Sequence, residues 1–316
     1  IGTAQYDASA AIGWKHLTDE CNRMLRVRVA ECRMHGASGD FVLSLEEMLF
    51  GRHRSVFRLK LGWDDPAQVP PLQVTLIDGA LPPSRRPYIP PATPTQLDWL
   101  RQHLKKLVDC GVIRKSDSPW AAMAMLVAKP DGTWRLVVDA RYVNSQTQAK
   151  RYAMHDPNNS LAQLGKATVF ASFDWLKGYW QIKLHEDCQQ YYAFMTHFGK
   201  FEYRREPMGG CDSAGHFQAQ VDNLFGPTAE DLLYNGLVTN IDDNLLYDQN
   251  GKGDMELLGN IDRFLTVLCR HHIRLSPKKS EFYSKATVWC GHLVTPERHK
   301  VDAKRAAAWR ECPLPR

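Results

Sequence analysis

Between the apolar runs Gly236-Leu237-Val238 and Leu245-Leu246-Tyr247 lies the tetrapeptide Asn240-Ile241-Asp242-Asp243. Two short strand-like segments meeting at polar residues predict a β-hairpin with both carboxylates at or beside its turn. Such a turn can aim two carboxylates into one small volume, where their repulsion is costly unless a divalent cation lies between them. Adjacent aspartates therefore point to a magnesium site, although Asp is also a common turn residue and the same tetrapeptide serves as a solvated turn. A third carboxylate separates the two readings. It stands upstream, where the β-rich run Thr168-Val169-Phe170-Ala171-Ser172-Phe173 ends in Asp174. If Asp174 faces the same space as Asp242 and Asp243, the three could hold two hard cations about 4 Å apart, an arrangement suited to in-line phosphoryl transfer. The alternative is that Asp174 caps the helix that follows it.

A second hairpin is predicted around Pro130-Asp131-Gly132, a strong turn signal between Met125–Lys129 and Thr133–Val138. It carries a cation on each arm, Lys129 and Arg135, and a basic hairpin is suited to closing over a triphosphate. Both cations also suit ordinary solvated strands. Further along, Asp212 or Ser213 is placed to cap a helix through Phe217 and Val221. Asp254 opens an amphipathic stretch in which Leu257, Leu258, Ile261, Leu265 and Leu268 recur at helical spacing.

These residues sit in blocks whose order resembles the reverse transcriptases of gypsy-type LTR retrotransposons. Along roughly residues 80 to 313 the blocks are GVIRKSDSPWAAMAMLVAKPDGTWRLVVDARYVN, FASFDWLKGYWQIKL, AFMTHFGKFEYRREPMGG, NIDDNLLY, LSPKKSEF and VWCGHLV. The resemblance implies an RNA-directed DNA polymerase that extends a primer from dNTPs with two Mg²⁺ ions, Mn²⁺ being a substitute. Asp174, Asp242 and Asp243 would be the metal ligands, and Lys279 would protonate the departing pyrophosphate. Lys129, Arg135, Trp175, Gly178, Tyr179, Met208 and Gly209 would bind the nucleotide, with Tyr179 as the gate that excludes a 2′-hydroxyl. Trp289, Cys290 and Gly291 would form the primer grip. Each has a plainer reading as well: Tyr179 as a core aromatic, Lys279 as a solvated charge, Gly209 as a turn glycine.

The resemblance implies an α+β, right-hand polymerase fold with fingers and palm, an antiparallel palm sheet with helices on one face, and a thumb largely missing. Its boundaries would be 1–79 for an amino-terminal segment and Pro-rich connector, 80–150 with part of 183–206 for the fingers, 151–295 for the palm, and 296–316 for the start of the thumb. The chain departs from the family at Asn240, where an aromatic is usual, at Asn244, where an aliphatic is usual, and in GGCDSAGHFQ. Loss of the aromatic removes packing near the primer end and leaves all three carboxylates in place. Without a start methionine or leader, Ile1 is read as an internal boundary of a polyprotein. The expected partners are an RNA/DNA template-primer, dNTPs and other polyprotein products such as ribonuclease H and integrase. The expected location is intracellular, in a cytoplasmic virus-like particle with nuclear entry.

Composition narrows the choice less. With 44% hydrophobic residues in 316, the chain can bury a full core, and no apolar run near 18 residues suggests a membrane span. The net charge of +5 is unevenly placed: Arg263 to Glu311 holds eleven Lys or Arg and four Asp or Glu, so that segment is +7 and the rest sums to −2. Such a segment suits phosphate contacts that weaken with salt, or a generic solubilising surface. Eight cysteines without a CxxC pair read as free thiols. Nine of the eighteen prolines fall between Pro66 and Pro94, predicting an extended connector. Thr93-Pro94-Thr95-Gln96 then opens a capped helix carrying Leu97, Leu100, Leu104, Leu107 and Val108, stopped by Gly111. Residues 1 to about 65 give weak signals, the alternating Phe57, Leu59 and Leu61 among them. Two rival functions keep the same residues: a non-catalytic, retroelement-derived nucleic-acid-binding protein, and a metal-dependent phosphodiesterase, for which no His or Glu base stands beside the Asp pair.

Overall fold

The computed structural model describes residues 8–62, 64–85, 87–297 and 299–301, with side chains for those between Thr18 and Glu297 and for Lys300. The expected start of a thumb, 296–316, lies almost wholly outside the described residues, as does the carboxy-terminal part of the basic segment. In chain order the helices are α1 (Ala8–Met34), α2 (Gly39–Phe50), α3 (Pro94–Asp109), α4 (Arg141–Ser145), α5 (Pro157–Ala162), α6 (Gly178–Gln181), α7 (Glu186–Gln189), α8 (Ser213–Phe225) and α9 (Asp254–Arg270). The strands are β1 (Ile113–Lys115), β2 (Ala122–Ala128), β3 (Trp134–Val138), β4 (Phe170–Asp174), β5 (Ala193–Thr196), β6 (Gly199–Tyr203), β7 (Leu237–Asn240), β8 (Asp243–Tyr247), β9 (Glu281–Ser284), β10 (Thr287–Trp289), β11 (His292–Val294) and β12 (His299–Val301).

The chain divides into two compact units, one of residues 1–60, 154–176 and 221–316, the other of 61–153 and 177–220. In the first, a four-stranded sheet runs β7-β8-β4-β9, every neighbouring pair antiparallel. Its apolar face is aromatic. Phe173 stacks on Phe264 of α9 at 5.4 Å between centroids, Phe264 stacks on Phe225 at 5.1 Å, and Phe282 meets Phe173 edge-on at 5.3 Å. Leu257, Ile261, Phe264, Leu265 and Leu268 of α9 are all buried, so the spacing read in the sequence is the core-facing stripe. Burying such a stripe is what holds a helix of this length on a sheet, since propensity alone is marginal.

The start of β4 is fixed by a residue that the sequence reading passed over. Asp248, wholly buried just past β8, accepts hydrogen bonds from Thr168 N at 2.6 Å, Thr168 Oγ1 at 2.8 Å, Val169 N at 2.9 Å and Gly253 N at 2.9 Å. A buried carboxylate is tolerable only when donors replace its water, and four do so here. The effect is to tie the entry to β4, the exit from β8 and the approach to α9 at one point.

The amino-terminal residues, weak in the sequence, form α1 and α2. Cys21, Leu25, Val29 and Cys32 of α1 are buried, at spacings of 4, 4 and 3, and Phe41, Leu45 and Leu49 of α2 likewise. The alternation at Phe57, Leu59 and Leu61 makes no strand. Phe57 forms a single bridge to Leu275 and its ring enters the aromatic core beside Phe282.

The second unit carries a five-stranded sheet, β1-β6-β5-β2-β3, in which β2 and β5 are parallel and the remaining pairs antiparallel. Helix α3 opens on the predicted capping box, with Thr93 and Gln96 exchanging side-chain to backbone bonds, and ends at Cys110 with Gly111 at φ +66°. Leu100, Leu104 and Leu107 are buried, whereas Val108 lies on the open side, 42% exposed. A hundred degrees of helical rotation per residue carries Val108 off the stripe that Leu104 and Leu107 define. The seven cysteines among the described residues are all free. Among those residues no helix is long and apolar enough to cross a membrane.

Candidate active site

The tetrapeptide is a two-residue hairpin: Asn240 closes β7, Asp243 opens β8, and the two pair across the turn. Ile241 holds φ +56°, a conformation costly for a β-branched residue by about 1–3 kcal/mol and found chiefly where surrounding contacts impose it. The next strand completes the arrangement. Asp174, the last residue of β4, is the cross-strand partner of Asp243, and Trp175 N donates to Asp242 O at 3.4 Å. Residues directly opposite on antiparallel strands have Cβ atoms about 5 Å apart, so two carboxylates there feel each other strongly. Asp174 does not cap α6, whose N-cap is Lys177.

The electrostatics follow from that geometry. The protein surrounding Asp243, then the negative charges of Asp242 and Asp174, push its carboxyl up to about 6. Burial and then Asp174 raise Asp242 as well. Lys279 partly relieves the repulsion: its Nζ lies 2.7 Å from Asp174 Oδ2, on a 3₁₀ turn, Pro277–Lys279.

The turn is braced by Asn240 and Asn244, two of the places where the chain departs from the family pattern. Asn240 Nδ2 donates to Cys290 Sγ at 3.2 Å, and buried Asn244 Nδ2 donates to Asp242 O at 2.9 Å and to Phe173 O at 3.3 Å. Trp289 Nε1 donates to Asp243 O at 3.4 Å. Strands β10 and β11 pair Trp289 with His292 around Cys290-Gly291, whose φ values of +48° and +75° fit a two-residue hairpin of the I′ kind. Together Ser172, Asp174, Asp243, Asn244, Lys279, Val288 and Trp289 line a cleft of about 190 Å³, and Val288 on its rim is 53% exposed.

Among the described residues no three His, Cys, Asp or Glu side chains already converge as a finished metal cage. The donor set nevertheless fits hard divalent cations. Two carboxylates at the hairpin, raised by burial and then by neighbouring negative charge, and Asp174 opposite Asp243 on β4 offer oxygen ligands that gain most from a cation between them.

The remaining candidates lie in the second unit, except Trp175. That residue is 1% exposed, so its side chain belongs to the core and cannot meet a nucleotide. The 129–133 turn forms as predicted: Lys129 N donates to Thr133 O at 2.8 Å, and Asp131 Oδ1 accepts from Thr133 N and Oγ1. Lys129 stands at its base and Arg135 pairs with Val127. Two further lysines share this neighbourhood and were missed in the sequence: burial, then Lys177, Lys106 and Lys129, hold His103 down at about 4. Gly178 is buried at the start of α6, and the half-buried ring of Tyr179 packs on Phe217 at 5.3 Å. Met208 is 47% exposed.

Gly209 holds φ +93°, and a Cβ there would meet nothing within 4 Å, so backbone conformation, not crowding in the free protein, asks for glycine. Asn144 clasps this turn, Nδ2 donating to Gly209 O at 2.9 Å and Oδ1 accepting from Cys211 N at 3.0 Å. The two expected caps make bonds outside the helix. Asp212 Oδ1 accepts from Lys150 N, and Ser213 Oγ donates to Pro207 O, so both side chains fasten the loops that precede α8.

The fold is that of solved viral polymerases. Foamy viral protease-reverse transcriptase in complex with dsDNA superposes with a TM-score of 0.77 at 20% identity, over 92% of this chain and 59% of that one. The same protein with an RNA/DNA hybrid gives 0.75 at 19%, over 96% and 38%. The chain is therefore a right-hand polymerase-fold domain, α+β in class. The reverse transcriptase (RNA-dependent DNA polymerase) family matches residues 127–298, more than half of the chain, and the chain belongs to that family. Its relatives include the Pol polyproteins of transposons gypsy and 297 of Drosophila melanogaster, each 29% identical over 69% and 68% of this chain. The enzymatic polyprotein of cauliflower mosaic virus is 26% identical over 66%. The chain spans about a fifth of the two transposon polyproteins, 21% and 20%, and 30% of the viral one.

Proposed function

We propose that this chain is the polymerase domain of a gypsy-type retrotransposon reverse transcriptase, extending a primer on RNA or DNA template by transferring nucleotides from dNTPs. The observation that carries the reading is the cross-strand pairing of Asp174 with Asp243 at the Asp242-Asp243 hairpin. Three carboxylates brought to this turn would draw together around hard cations, with Mg²⁺ the natural choice and Mn²⁺ a substitute. Bound at these aspartates, the cations would lower the pKa of the primer hydroxyl and balance charge on the departing oxygens.

In this reading the primer 3′-oxygen bonds to the α-phosphorus of the dNTP, the bond to the β-phosphate breaks, and pyrophosphate leaves. The chain's own residues supply positioning and protons. Trp289, Cys290 and Gly291, tied to the Asp turn through Asp243 O and Asn240, would set the primer end. Lys279, 65% exposed at Asp174, would give a proton to the leaving pyrophosphate. Lys129 and Arg135 would hold the triphosphate, with Lys106 and Lys177 adding to the positive field. Tyr179 would exclude a 2′-hydroxyl, and Met208 and Gly209 would lie under the base. Gly178 would set the backbone from which Tyr179 projects. Template-primer and dNTPs are thus the partners, in a polyprotein that would also carry ribonuclease H and integrase, acting in a cytoplasmic particle.

A labelled DNA primer annealed to RNA, given dNTPs and Mg²⁺ or Mn²⁺ at low salt, tests the reading. Extension by the chain and its loss in Asp242→Asn support it. Tight binding without extension in either metal sinks it in favour of a nucleic-acid-binding protein, and degradation without dNTPs points to a phosphodiesterase.

A further inference from the structure

We propose that the amino-terminal helix takes part in catalysis through Arg28, a positioning residue that holds the backbone beneath Lys279. The inference rests on the reading of Lys279 as the proton donor. Arg28 of α1 projects its guanidinium onto the 3₁₀ turn Pro277–Lys279. Its Nη2 donates to Lys278 O at 2.6 Å and its Nε to Pro277 O at 3.4 Å, while Nη1 is held by Glu31 at 2.7 Å. A guanidinium is a planar fork with donors in fixed directions, so engaging two successive carbonyls and one carboxylate leaves it little freedom to turn. Helix α1 is itself anchored here. Leu25, Val29 and Cys32 are buried, and His35 Nδ1 lies 2.9 Å from Tyr283 O of β9.

On its other side the turn is fastened to the end of β4. Ser276 N donates to Asp174 O at 3.2 Å, Lys279 N donates to Ser276 O at 3.2 Å, and Ser280 Oγ donates to Ser276 O at 2.8 Å. The backbone carrying Lys279 is therefore clamped between the carbonyl of Asp174 and the guanidinium of Arg28. This matters because the lysine side chain is 65% exposed, held at its tip by Asp174 alone among the ion pairs described. A flexible four-carbon stem reaches one place reliably only if its Cα is fixed. The amino-terminal residues, mute in the sequence, thereby acquire a role at the chemistry.

The test is single-nucleotide incorporation under single-turnover conditions, with Arg28→Ala, Arg28→Lys and Arg26→Ala in wild-type and Lys279→Ala backgrounds. Arg26 is the control: it lies on the same helix and pairs with Glu46 at 2.8 Å, away from the turn. The expected result is a maximal rate lowered about tenfold in Arg28→Ala, with the half-saturating dNTP concentration within about twofold. Arg28→Lys should recover part of the rate, and Arg26→Ala should match wild type. In the Lys279→Ala background, Arg28→Ala should cost less than about twofold, because a residue acting through Lys279 has nothing left to position.

Amide exchange in the free protein should rise at Lys279 and Ser280 in Arg28→Ala and stay unchanged along β4. If Arg28→Ala fails to fold, Arg28→Gln and Arg28→Lys report the same split. Equal losses in both backgrounds, exchange rising throughout the unit, or a silent Arg28→Ala beside an active wild type and an impaired Lys279→Ala would overturn the proposal alone. No extension by the wild type, or Lys279→Ala at the wild-type rate, would overturn the reading of the site beneath it.

Discussion

Asn240 Nδ2 donates to Cys290 Sγ at 3.2 Å, so the two hairpins of the site, one carrying the aspartates and one carrying Trp289, are bonded tip to tip. A sulfur acceptor makes a weak bond, but here it links two turns that each contain a residue at positive φ, Ile241 and Cys290. Asn240→Ala should therefore act on alignment more than on stability. We expect a three- to tenfold rise in the half-saturating primer-template concentration, corresponding to about 0.7–1.4 kcal/mol, with a Tm change within about 2 °C. Steady-state extension and thermal melting check it, and a large Tm loss without the shift in primer affinity would contradict it.

The crowding of carboxylates makes a second prediction, in which activity and stability move apart. Asp243→Asn removes the carboxyl that burial, then Asp242 and Asp174, push up, while keeping the shape of the side chain. Extension should fall by at least about a thousandfold, the scale of removing a group that acts only in the transition state. Melting of the protein without metal should not decrease, and should rise by about 2 °C as repulsion at the turn is relieved.

Asp248 should behave in the opposite way. Its carboxylate answers four donors, three at the entry to β4 and one before α9, and Asp248→Ala takes the acceptor from all of them, Val169 N in the core included. A loss of about 3–5 kcal/mol is expected, read from denaturant midpoints, with activity lost in step with folding. Asp248→Asn, which keeps part of the acceptor set, should lose less.

Glu206 gives the pH dependence. It is wholly buried in the second unit, 3.5 Å from His216 Nδ1, and desolvation raises its carboxyl to about 7 despite that partner. A folded-state pKa above the unfolded value of 4.5 means that the stability contribution is complete below about pH 4.5 and is lost as pH rises through about 7. Glu206→Gln should therefore be more stable than wild type at pH 8, and the difference should shrink toward pH 4.5. Melting curves across that range decide it; a difference that grows on acidification would show that Glu206 is ionised in the folded protein.

Most of the site could be read from residues close together in the chain. The Asp242-Asp243 turn, the Pro130-Asp131-Gly132 turn and the capping box at Thr93 are local devices, and short spacing records them directly. Local patterning also gave the stripe on α9, because helical period and burial coincide there. It failed at Val108, one residue past the buried stripe, and at Phe57, where a single bridge imitates the start of a strand. It failed most at α1, whose apolar residues are interspersed with arginines that only the folded chain explains.

What the sequence determined by itself was therefore the set of turns and strands and the carboxylates they carry. Tertiary structure alone decided that Asp174 faces Asp243, that Asp248 ties β4 to β8, and that Arg28 reaches a turn some 250 residues away. The physical reason is that register between distant strands and the docking of a helix depend on buried donors and acceptors finding one another. Those pairings leave no period in the chain; they exist only once the sheet has closed.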